Sequence, residues 1–263
     1  MHTAPRAFDA AASERVDRIY QNQDIVTQRR IMLKRLALKQ GDHVLDIGCG
    51  PGLLALDMAN SISPAGAIIG VDPSAEMRAL AEKRCKGVAS INIMDGDAVK
   101  LPCDSSSLDI AIATQVYEYV TEIENALLEA YRVLKPGGRI AIIDTDWDSA
   151  VVHTSNRKRM HAVMEIHRDH FVHPDLPGKL PSLLVKAGFS LTYAGTIPII
   201  NMSLSPENFC GDVLRGLAKR AYKSDHVGPA MAEAWLEELE ALDKVGEFFF
   251  SLARFFFIAT KPC

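Results

Sequence analysis

The chain contains no apolar run long enough to cross a bilayer, no C-x-x-C pair and no internal repeat. Its most hydrophobic stretch, "FFFSLARFFFIA", is interrupted by Arg254 and falls short of the roughly 20 residues that a spanning helix needs. Cys49, Cys85, Cys103, Cys210 and Cys263 are scattered, with no His partner at metal-ligand spacing. That pattern argues against a disulfide framework or structural zinc, so reduced thiols and no metal are expected. A net charge of −4 does not favour a long nucleic-acid groove. The opening "MHTAPRAFDAAASERVDR" carries charges where a secretory leader needs an apolar core. A cytoplasmic protein is expected, with no membrane span, no nucleic-acid partner and a monomeric or homodimeric state.

What is present is the composition of a soluble globular chain, 48% hydrophobic and 24% charged over 263 residues. Residues 8–40 carry apolar positions at helical spacing. "HVLDIG", "AIIGVD", "ASINIMDGD", "LDIAIATQ" and "RIAIIDTD" then read as strands, separated by helical stretches or loops. Strands alternating with such helices mark an α/β fold with a doubly wound, mostly parallel sheet. Further on, "SNRKRMHAVMEIHRDHF" and "LPSLLVKAGF" read as helices and "SLTYAGTIPIINMSL" as a strand. Two more helical stretches precede the aromatic final strand, which can pair antiparallel with the one before them. The expected organisation is an N-terminal helical segment, 1–40, and a domain over 41–263 with a helical cap insertion at about 204–246.

"DIGCGPG", Asp46 to Gly52, follows the first strand directly. Its glycines are spaced G-x-G-x-G, and Leu53 stands where a dinucleotide fingerprint needs its third small residue. No Lys-Ser or Lys-Thr follows, so a Walker A loop fails too. The Asp46 carboxylate would repel a phosphate and attract a cation. Asp72, ending the second strand, is placed to accept from ribose hydroxyls. Asp97, after the third, can accept from an exocyclic amino group. Any one of these acids could be an ordinary turn or cap residue. Three at the ends of successive strands suit an adenosine that carries a cationic amino-acid tail.

"VLDIGCGPG", "GVDPS", "MDGDA" and "LKPGGRI" resemble the ordered motifs of class I S-adenosylmethionine-dependent methyltransferases. The similarity is nearest to the group around the ubiquinone and menaquinone C-methyltransferases. It implies a seven-stranded Rossmann-like sheet whose last strand is antiparallel. It also implies S-adenosylmethionine as cofactor and methyl transfer to a small-molecule acceptor at C, N or O. By the same resemblance Asp46, Gly48, Gly50 and Gly52 would flank the methionine part, and Asp72, with Pro73 beside it, would hold the ribose. Met77 would pack on the adenine, Asp97 and Ala98 would read its edge, and Thr114 and Gln115 would line the methionine moiety. The N-terminal helices would close over the cofactor, making Tyr20, Gln28 and Arg29 candidates. Arg29 would bind the cofactor carboxylate or occupy a solvated helix face.

On the acceptor side, Tyr117, Glu118 and Asp146 follow the fourth and fifth strands and are candidate catalytic groups, able to orient or deprotonate a nucleophile. Tyr20, Tyr117, Trp147 and Arg254 are candidate acceptor-binding residues. Arg254, a lone charge in an aromatic strand, either points into the acceptor pocket or snorkels to the surface. His153, His161, His167 and His170 lack H-E-x-x-H spacing, and a solvated helix is the expected setting. A nicotinamide-dependent oxidoreductase and a non-catalytic cofactor-binding protein are the alternatives.

Overall fold

The computed structural model describes residues 10–263. The sequence expectations for residues 1–9 lie outside the described residues.

Helices α1 (Ala10–Tyr20) and α2 (Gln23–Leu36) are separated at Asn22, whose side chain caps α2 by accepting from the Ile25 amide. Five parallel strands follow: β1 (His43–Ile47), β2 (Ala67–Asp72), β3 (Ile91–Asp95), β4 (Leu108–Thr114) and β5 (Leu134–Thr145). Helices α3 (Leu53–Ile62), α4 (Ala75–Arg84) and α5 (Ile123–Val133) form three of the crossovers. The sheet runs β3-β2-β1-β4-β5, so strand order reverses between β1 and β4. Ligands of open α/β sheets bind beyond the carboxyl ends of the strands at such a switch point. The "KPGG" stretch does more than stop α5. It bulges the start of β5, whose pairing with β4 jumps from Leu108–Leu134 to Ile110–Arg139.

The second half adds α6 (Arg157–Arg168), α7 (Leu176–Lys186), β7 (Ser190–Asn201), α8 (Phe209–Tyr222), α9 (Gly228–Lys244) and β8 (Phe250–Thr260). β8 runs antiparallel to both β5 and β7 and lies between them. The expected antiparallel pairing of the last two long strands is therefore present. A two-residue strand, β6 (Val151–Val152), continues the β5 side of β8 and has no signal in the sequence. α7 begins four residues earlier than "LPSLLVKAGF" suggests, with Pro177 in its first turn where no amide hydrogen is needed.

Three apolar clusters form the core. One contains Leu127, Ile142 and Leu184, and another contains Met58, Ile68 and Phe256. The third lies among α6, α8 and α9 and includes Trp147, Leu217, Trp235 and Phe250. Along one face of β8, Phe250 and Leu252 belong to this third cluster, whereas Phe256 and Ile258 belong to the second. Arg254 stands between them.

Candidate active site

The loop after β1 turns sharply, with Gly48, Gly50 and Gly52 all at positive φ (65°, 52° and 78°). Their surroundings differ. A Cβ on Gly48 would meet Val116 Cγ2 at 2.5 Å, and one on Gly52 would meet Ala81 Cβ at 2.9 Å. One on Gly50 would meet nothing within 4 Å. Gly50 is thus the glycine that leaves open space, while Gly52 lets α3 pack onto α4. Asp72 fastens the loop by accepting from the Gly50 and Ser74 amides, each at 2.9 Å. A carboxylate offers about four lone-pair positions, so Asp72 retains acceptor capacity for hydroxyls.

Asp46 lies behind the loop, with one carboxylate oxygen buried and unpartnered among the described residues. Burial, reinforced by the nearby Asp72 charge, pushes its carboxyl up to about 8. Arg84 joins the loop to the N-terminal segment. Its guanidinium donates to the Pro51 carbonyl and pairs with Asp17 of α1 at 2.8 Å.

A cavity of about 540 Å³ opens from this loop. At one end it is lined by Gly48, Gly50, Asp72, Pro73, Met77, Asp97, Ala98, Thr114 and Gln115, and Tyr20 of α1 also borders it. Gln115 adopts φ 57°, held by hydrogen bonds from its side chain to the Ile143 carbonyl and from the Thr145 hydroxyl. At the other end stand Glu118, Trp147, His167, Phe171, Phe209 and Arg254. The Trp147 indole stacks on Phe171 (4.9 Å between centroids) and donates to Glu118 Oε2 at 3.2 Å. His167 meets the indole edge-on, and Arg220 of α8 lies 2.8 Å from its Nδ1. A guanidinium only donates, so Nδ1 accepts and the ring proton is on Nε2.

Six expected site residues do not line this cavity, one of them Gln28 of α2, which is buried and accepts from Arg254 instead. Gly52 serves helix packing, as above, and Asp46 is covered by the loop. Arg29 of α2 is engaged by Asp57 at 2.7 Å and by the Tyr20 carbonyl at 2.6 Å, so it neither contacts the cavity nor occupies a solvated face. The 3-10 turn Tyr117–Tyr119 directs Tyr117 into the core, where burial and the Asp144 charge raise its hydroxyl pKa far above the ordinary value. Asp146 caps the next 3-10 turn through the Asp148 amide, and its neighbour Trp147 takes the cavity wall. In both turns one of two expected neighbours faces the ligand space, Glu118 rather than Tyr117 and Trp147 rather than Asp146.

The histidine-rich helix also departs from expectation. His167 is buried and lines the cavity together with His170, because α6 packs its inner face against α8. Arg254 is buried as well, so the snorkelling alternative is excluded. The cysteines carry no disulfide; three are buried, Cys103 is half-buried and Cys263 is exposed. Among the described residues no group of His, Cys, Asp or Glu could hold a metal ion, and no helix is long and apolar enough to cross a membrane.

The glycine loop, the acids ending successive strands and the β3-β2-β1-β4-β5-β8-β7 sheet define a methyltransferase fold. A family model described as "Methyltransferase domain" matches residues 45–142. Residues 45–142 form a methyltransferase domain of the class I S-adenosylmethionine-dependent type, whose cofactor is S-adenosylmethionine.

Over 261 residues the chain is 30% identical to an uncharacterized 37.1 kDa transposon protein of Streptomyces fradiae, covering 97% of this chain and 73% of that one. It is 37% identical over 120 residues to a demethylmenaquinone methyltransferase of Lactobacillus johnsonii, covering 44% of this chain and 49% of the relative. The structure of Haemonchus contortus phosphoethanolamine N-methyltransferase 2 in complex with S-adenosyl-L-methionine superposes with a TM-score of 0.62 at 20% identity, covering 97% of this chain and 58% of that one.

Proposed function

We propose that this chain transfers a methyl group from S-adenosylmethionine to a small, flat, largely apolar acceptor at a C, N or O atom. The observation that carries the reading is the single cavity running from the glycine loop to the Trp147–Phe171 stack. The residues at its loop end suit the cofactor. Gly50 leaves open space, Asp72 retains acceptor capacity, and the buried Asp46 carboxyl is one that a nearby cation would help to ionise.

When bound, the cofactor supplies an electrophilic methyl carbon on a sulfonium. The chain's own work is then orientation and exclusion of water. Trp147, Phe171 and Phe209 would hold an aromatic ring, and Met77 would pack against the adenine. Glu118, whose Oε2 already accepts from Trp147, would take the proton where the nucleophile carries one. α1, α2 and the insertion of α8 and α9 would act together as a cap over both ligands. The free cysteines suit a reducing cytoplasm.

Calorimetric titration with S-adenosylhomocysteine and with NADH tests the cofactor, and transfer of label from methyl-labelled cofactor to a panel of quinols, phenols and aromatic acids tests the reaction. Binding of S-adenosylhomocysteine together with label in a small organic acceptor is expected. Binding of NADH alone would overturn the reading, and cofactor binding with no transfer would favour a non-catalytic member of the fold.

A further inference from the structure

Arg254 is 2% exposed, yet no carboxylate forms an ion pair with it among the described residues. Its Nη1 donates to Gln28 Oε1, a neutral acceptor from α2, and the Phe209 ring lies 4.7 Å beneath the guanidinium carbon. Among the described residues Nε is buried with no hydrogen-bond partner, and no hydrogen bond involves Nη2. The side chain therefore leaves Nε–H and Nη2–H without a hydrogen-bond acceptor among the described residues, and Arg254 itself is one of the residues that line the cavity. The edge carrying both groups is the planar fork that matches the two oxygens of a carboxylate.

Glu118 and Asp144 lie within electrostatic reach and favour the charge of Arg254, but neither comes within ion-pair distance of it among the described residues. Burial drives the Asp144 carboxyl well up from its ordinary value, towards the neutral form. Glu118 receives the Trp147 indole hydrogen instead. A buried cation without a paired anion is costly unless a ligand completes it. The cavity rim repeats the sign. Lys219 in the last turn of α8 and Lys223 just beyond its end line it and are exposed, and neither is in an ion pair among the described residues.

We propose that the acceptor is an aromatic anion, its ring between Trp147 and Phe209 and its carboxylate or phosphate received by the Nε/Nη2 edge of Arg254. This rests on the methyltransferase reading and narrows its acceptor. Gln28 is a positioning residue, since it holds Nη1 and so turns the other edge towards the ligand.

The test uses the full chain saturated with S-adenosylhomocysteine and three probes, namely 2-naphthoate, 2-naphthyl phosphate and the neutral 2-naphthamide. Affinities are read by calorimetry. In arginine-labelled wild-type protein the Arg254 Nε–H resonance is followed by NMR, which requires no variant. At least one anion is expected to bind about tenfold or more tightly than the amide and to shift that resonance. The comparison of the two anions shows which head group the edge prefers. Arg254→Gln should abolish the preference, and Arg254→Lys should retain only part of it, with S-adenosylhomocysteine affinity unchanged in both. Equal binding of amide and anions, no binding of any probe, or a preference that survives in a folded Arg254→Gln would overturn the proposal. Failure of S-adenosylhomocysteine to bind the wild type would instead overturn the cofactor reading, so the two failures are distinguishable.

Discussion

Asp46 and Asp72 are both buried carboxylates at the glycine loop, but their partners differ, and so do the expected consequences of altering them. Asp72 is committed to two amides, whereas one oxygen of Asp46 has no partner among the described residues and its carboxyl is pushed up to about 8 by burial and by Asp72. From its ordinary 3.8 up to about 8, the folded chain holds a proton that the unfolded chain has released. Stability from this group is therefore complete below about pH 4 and is lost as pH rises through about 8. The melting temperature of the ligand-free protein should fall from about pH 4 to about pH 8 and level off above it, and Asp46→Asn should flatten that slope; a variant with the wild-type slope would assign the titration elsewhere. Asp72→Ala should weaken S-adenosylhomocysteine binding by about 1–3 kcal/mol through lost hydrogen bonds, read by calorimetry. An unchanged dissociation constant would remove Asp72 from the cofactor site.

At the scale of elements, the third glycine of the loop belongs to helix packing. Gly52 combines φ 78° with an Ala81 side chain 2.9 Å from where a Cβ would stand, so α3 and α4 can approach only because that atom is absent. Gly52→Ala should cost about 1–3 kcal/mol, visible as a lower urea midpoint. An unaltered midpoint would mean that the helices part without penalty. The motif's spacing gave no hint of this division of labour, since all three glycines read alike until their surroundings are known. The same limit applies at the strand ends. Tyr117 and Glu118 are neighbours, as are Asp146 and Trp147, and short 3-10 turns decide which of each pair faces the cavity. The alternation of strands and helices was legible because apolar period and turn residues are local signals. The Arg254–Gln28 contact joins residues 226 positions apart, and no local pattern carries it.

Across the whole molecule, the parallel sheet, its antiparallel end and the place of the glycine loop after β1 followed from sequence alone, whereas β6 and the inward face of α6 did not. The sheet's strands have their own hydrophobic runs. The inward turn of His167 depends on α8, whose Arg220 meets its ring from a helix more than fifty residues later. β8 connects these two regions, since its inward face passes from the cap cluster through Arg254 to a cluster beneath the sheet. A polar residue at that junction interrupts apolar continuity, so the two packed bodies need not open together. Hydrogen exchange should therefore show two tiers, with amides of α6, α8 and α9 released at lower free energy than those of β1, β4 and β5. A single shared protection level would contradict this. If the tiers are present, the chain can lift its helical lid as a cooperative unit while the sheet stays intact, and ligand entry becomes a local unfolding event rather than the sliding of a rigid door.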